Sequence, residues 1–146
     1  MGDLDRVREL AGQDHGLAVV VTQRSDGSPQ TSVVNAAVVD HPVTHEPVVG
    51  FVIRGGVLKH RHLRLHPCAT VVFRVGWEWV AVEGGAVLVG PDDALTGFDP
   101  PRYATLLAAI YSAALGGSPQ DWEAFAATEP QLAVLVRPTR VYSNAS

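Results

Sequence analysis

Apolar residues recur along this chain with two different periods, and the switches between them mark its elements. Leu4, Val7, Leu10 and Ala11 repeat at helical spacing and Gly12 and Gly16 punctuate the end, which predicts an N-terminal helix. Leu17 to Thr22 is a β-branched run that reads as a buried strand. Ser25–Asp26–Gly27–Ser28 is a turn signal, because Gly27 can take a positive φ at little cost. Gln30 to Val39 alternates loosely as the second strand of that hairpin. Pro42 and Pro47 bracket a polar loop, and Val48 to Arg54 is a third strand.

Gly55–Gly56 breaks that strand, and Val57 to Leu65 predicts a short helix closed by Pro67. Cys68 to Val75 and Trp79 to Val89 are two more strands, joined around Gly76. Within the second, Gly84–Gly85 signals a bulge or a close backbone approach. Pro91–Asp92–Asp93–Ala94 resembles a helix start. Pro101 to Leu115 is a helix ended by Gly116–Gly117. Ser118 caps another that begins at Pro119, and Gln131 to Tyr142 is the last strand. About six strands with a few short helices, and no βαβ alternation, predict a mainly β fold: one small antiparallel barrel with helices at its ends, as a single domain over residues 1–146.

Composition narrows the class. An apolar share of 47% with 18% charged residues belongs to a folded globule. One cysteine, Cys68, excludes an internal disulfide and makes a reducing cytoplasm the expected location. The first ten residues lack the apolar block of a signal peptide, and no stretch approaches the roughly 20 apolar residues of a membrane span. The formal net charge of −4 argues against nucleic acid as a partner. Its distribution says more: no acidic residue falls between Pro47 and Trp77, whereas Arg54, Lys59, Arg61, Arg64 and Arg74 all do. An acidic chain that keeps one segment purely basic is expected to reserve it for a small anion, the alternative being chance clustering on a solvated face.

Several chemistries are absent. There is no GxGxxG after a strand, no Walker lysine motif and no GxSxG elbow. Cys68 opens an apolar strand and reads as a core thiol. His62 and His66 lie one helical turn apart, but His60 points away from His62 by roughly 160° at about 100° per residue. With no acidic residue near them in sequence, no metal site is expected. What remains is Arg54–Gly55–Gly56–Val57–Leu58–Lys59–His60–Arg61–His62–Leu63, where a strand ends, glycines turn the chain, and a helix opens with cations in its first turns. Helix N-termini present unpaired N–H groups and a positive dipole end, and so take phosphate readily.

Strand, Asp-Gly turn, strand, a Lys-x-Arg-x-Leu helix, and a Trp-containing strand that runs to Val82–Glu83–Gly84 resemble the pyridoxamine-phosphate-oxidase-like split barrels. More narrowly the chain resembles their branch that depends on the deazaflavin coenzyme F-420. His62 replaces the asparagine usual in that branch. Ile110–Tyr111, Pro119 to Trp122 and the ending Arg137–Pro138–Thr139–Arg140–Val141–Tyr142 also match.

The resemblance implies a six-stranded antiparallel split barrel, homodimeric, with two cofactor sites at the dimer interface. Lys59 and Arg61 would hold the cofactor phosphate with Arg54 nearby, and Ser32, Val33 and Asn35 would lie along its ring or ribityl chain. Trp77 and Trp79 would come from the partner subunit and wall the pocket. Arg64 and Arg74 are candidates for a tail of glutamates. The implied activity is hydride transfer from the reduced deazaflavin to a conjugated small molecule, with no general acid evident. An FMN enzyme would use the same phosphate clamp, and a non-catalytic flavin- or haem-binding module would draw on His60, His62 and His66.

Overall fold

In the computed structural model the described residues are 4–99, 102–126 and 131–144. Ten elements follow in order: α1 (Leu4–Gln13), β1 (Leu17–Gln23), β2 (Pro29–Asp40), β3 (Pro47–Arg54), α2 (Leu58–Leu65), β4 (Cys68–Val75), β5 (Glu78–Val89), α3 (Tyr103–Leu115), α4 (Pro119–Ala126) and β6 (Gln131–Ser143). The six strands close into an antiparallel barrel in the order β1-β2-β3-β6-β5-β4. Closure leaves no free sheet edge.

Strand alternation fills the barrel. Val20, Phe51, Val71, Phe73, Val80, Val82 and Val134 point inward as one buried cluster, and Leu4, Val7, Leu10 and Ala11 of α1 join it. A second cluster lies on the other side of the wall, where Val48, Ala133 and Leu135 meet Leu106, Leu107 and Ile110 of α3. Both faces of β6 are therefore covered over its first half. This is why Gln131 to Val136 are buried without a break and read as a continuous apolar run instead of an alternation.

Two glycines earn their identity from geometry. Gly84 sits at a register shift in the β5–β6 ladder, and a Cβ there would lie 1.7 Å from the Arg137 carbonyl oxygen. The bulge signalled by Gly84–Gly85 is thus real. Gly56 takes φ +83° in the turn before α2.

Two local expectations differ from the structure. Pro91–Ala94 does not start a helix. Gly90 and Asp93 exchange N–H···O bonds of 3.0 and 3.1 Å in a tight turn, and the Asp93 side chain is drawn to α2. Cys68 is exposed. The alternation that buries Ala69, Val71 and Phe73 turns it outward. Pro101, the expected first residue of α3, lies outside the described residues, and the helix is seen from Tyr103.

Candidate anion-binding groove

β3 ends at Arg54, the Gly55–Gly56 turn reverses the chain, and α2 starts after Val57 with no side-chain cap. The N–H groups of Leu58 and Lys59, in its first turn, have no intrahelical acceptor to reach. Beside that helix start runs a groove of about 520 Å³, walled by Gln30, Val33 and Asn35 of β2, Arg54 of β3, Val57 to Lys59, and Tyr111 of α3.

Lys59 is the half-buried cation of this groove, with no carboxylate or hydrogen-bond acceptor against it among the described residues. Burial alone pushes its ammonium below the ordinary 10.5. Gln30 Oε1, on the opposite wall, is buried and accepts no hydrogen bond. The groove therefore offers a partly desolvated positive charge, an unused acceptor and the dipole end of a helix. Apolar Val33, Val52 and Leu58 complete the surface.

The residues expected from the sequence fall in four places. Val33, Asn35, Arg54 and Lys59 line the groove together. Asn35 also donates from Nδ2 to the His15 carbonyl at 2.8 Å, which ties β2 to the end of α1. Ser32 pairs with Val20, a core residue, and so shares the inner face of the sheet, opposite to Val33 and Asn35. Arg61 is exposed on α2 beyond the groove wall. Trp77 and Trp79 lie elsewhere, in a hollow at the β4–β5 turn with Arg74 and Gly76. Trp77 is 93% exposed, and Trp79 packs edge-on against Tyr142 at 6.1 Å.

Two arginines of the basic segment, Arg64 and Arg74, are engaged elsewhere. Arg64 forks onto both oxygens of Asp93 at 2.9 Å, and this holds the Asp93 carboxyl below the usual 3.8, helped by His60. Arg74 donates to the Gly76 carbonyl at 2.7 Å. His60 is likewise engaged, with Gly56 and Asp93. Among the described residues no group of three or more His, Cys, Asp or Glu could hold a metal ion.

Tyr111 and Gln30 are polar groove residues that the sequence did not assign to the site. Tyr111 closes the groove from α3. Its hydroxyl donates to Gln131 Oε1 at 3.1 Å, and its ring stacks on Trp122 at 5.2 Å and meets Phe125 edge-on at 5.5 Å. The available signal was a hydroxyl inside an otherwise Ala- and Leu-rich helix, since such a group needs a polar partner.

No family model matches the chain, and no curated protein matches it. Solved structures do. A conserved hypothetical protein of Mycobacterium tuberculosis superposes with a TM-score of 0.72 at 15% identity, covering 98% of this chain and 84% of that one. A pyridoxamine 5'-phosphate oxidase-related, FMN-binding protein of Nostoc punctiforme gives 0.65 at 14% identity, covering 97% and 81%. An F-420 reductase gives 0.55 at 20% identity, covering 88% and 90%. The chain has the six-stranded split-barrel fold that these structures share. Within this split barrel the groove occupies the corner where β2, the end of β3 and the start of α2 meet under α3. No helix among the described residues is long and apolar enough to cross a membrane.

Proposed function

We propose that the groove binds the phosphorylated chain of a flavin-type cofactor and that the protein is an oxidoreductase acting on a conjugated small molecule. The observation that carries this is Lys59, a half-buried cation with no acidic partner among the described residues, beside the open N-terminus of α2 and Arg54. A phosphate there would meet Lys59 as a point charge, the Leu58 and Lys59 amides along the helix dipole, and the Arg54 guanidinium within the same groove. Val33 and Asn35 on β2, with Tyr111 above, would flank the ring end. The cofactor itself would supply the hydride-transfer chemistry, and this chain would bind and orient it.

Coenzyme F-420 is our first reading, supported by the Lys-x-Arg-x-Leu helix and by the F-420 reductase among the similar folds. FMN is the second, and one observation favours it. Arg64 and Arg74, the residues suited to a glutamate tail, are held by Asp93 and by the Gly76 carbonyl. We further infer a homodimer. Val33, Val19 and Val72 form a row across the outer face of β2, β1 and β4, with Val33 65% and Val19 41% exposed. Pairing of that face would bury it, and would let Trp77 and Trp79 of a second copy approach the groove.

Fluorescence titration with coenzyme F-420, in parallel with FMN, tests the reading. Saturable binding of one of them is expected. Lys59→Ala should weaken it by about ten- to a hundredfold, the loss of one charge-assisted contact worth roughly 1.5–3 kcal/mol. Binding of neither cofactor would end the proposal.

A further inference from the structure

Among the described residues His60 is the buried histidine, 7% exposed, and its ring does not line the groove. We propose that His60, braced by Asp93, is a positioning residue for the phosphate-binding end of the groove; this rests on the reading given above. The geometry is a chain of four groups. The Gly56 N–H donates to His60 Nδ1 at 3.1 Å, which places the ring proton on Nε2. Nε2 donates to Asp93 Oδ2 at 2.8 Å, across 33 residues of sequence. Arg64, one turn further along α2, donates to both oxygens of the same carboxylate. One carboxylate in the turn after β5 thereby ties down the glycine turn and both ends of α2.

That segment needs an anchor. Gly56 lies at φ +83°, with nothing near enough for a Cβ to touch, and glycine loses more backbone freedom on ordering than any other residue. Val57 caps α2 without a side-chain bond. The buried ring supplies the missing constraint. By taking the Gly56 N–H it leaves the Leu58 and Lys59 amides as those open to an anion. By fixing the first turn it holds Lys59, its chain neighbour, at the groove wall. His60 touches no ligand in this arrangement and acts through the backbone it holds.

The two ring nitrogens can be separated by substitution. Asparagine places an acceptor near Nδ1 and glutamine a donor near Nε2, so His60→Asn keeps the Gly56 bond and His60→Gln keeps the Asp93 bond. The experiment titrates the full chain and both variants with FMN and coenzyme F-420, records their melting temperatures, and follows Gly56 amide hydrogen exchange without ligand. We expect His60→Asn, which loses only the Asp93 brace, to bind about two- to threefold more weakly than the wild type, and His60→Gln, which loses the Gly56 bond, to bind about tenfold or more weakly, at similar melting temperatures. Gly56 exchange should accelerate only in His60→Gln.

Binding by His60→Gln at the wild-type level overturns the inference and leaves the groove reading intact. So does weakening that merely tracks lost thermal stability in both variants. If the wild type binds neither cofactor, the groove reading fails on its own account. The exchange arm then decides: unchanged Gly56 protection in His60→Gln overturns the anchoring role, and lost protection supports it.

Discussion

Lys59 shows what a single residue can report. Its stem and ammonium are half buried, burial lowers its pKa from 10.5, and no carboxylate offsets that cost among the described residues. The pH dependence follows. The protonated form is the one that grips a phosphate, so affinity falls as pH rises through the lowered pKa, at less alkaline pH than for an exposed lysine. The stability of the unliganded protein runs the other way. Between the lowered folded value and 10.5 the unfolded chain binds more protons than the folded one, so stability rises with pH across that window. Affinity for FMN, measured from about pH 7 upward, where its phosphate is already mostly ionised, should decline in the wild type and stay flatter in Lys59→Met. Equal slopes would assign the titration to another group.

The elements carry the next level of the argument, and β5 is the most constrained. Its ladder with β6 slips by one residue at Glu83/Gly84. The backbone of Arg137 fills the space where a side chain on Gly84 would go. Gly84→Ala should therefore cost about 1–3 kcal/mol or more, because the obstacle is backbone and cannot rotate away. Gly85→Ala is the control. A Cβ there meets nothing closer than the Pro67 carbonyl at 3.9 Å, and its cost should stay below about 1 kcal/mol. Urea unfolding of both variants checks the contrast. Comparable losses would mean that the bulge relaxes. Most of the elements were legible because they have one period and clear punctuation. The failed one, Pro91–Ala94, has the composition of a helix start. It forms a turn because Asp93 is claimed by Arg64 and His60, 29 and 33 residues away in sequence.

On the scale of the whole molecule, the barrel has one face covered by α3 and another that is apolar and open. Leu17, Val19 and Val33 stand on that open face at 42%, 41% and 65% exposure. The proposed homodimer would cover it. Sedimentation velocity at micromolar concentration should give a dimer for the wild type and a folded monomer for Val19→Asp, since a buried unpaired carboxylate is costly. A wild-type monomer would remove the role proposed for Trp77 and Trp79, whose hollow is separate from the groove in a single chain.

The sequence by itself determined the six strands, the helix that follows the third, and the basic segment around it, because these depend on local periodicity, turn residues and charge. Val33, Asn35, Arg54 and Lys59 were legible as a group through the resemblance and meet at one groove. The tertiary structure decided the rest. It put Ser32 on the inner face by register, turned Cys68 outward by parity, and engaged Arg64 with a carboxylate far along the chain. It also brought Tyr111 over the groove. Such pairings rest on barrel closure and strand register, which bring together residues that no local pattern relates.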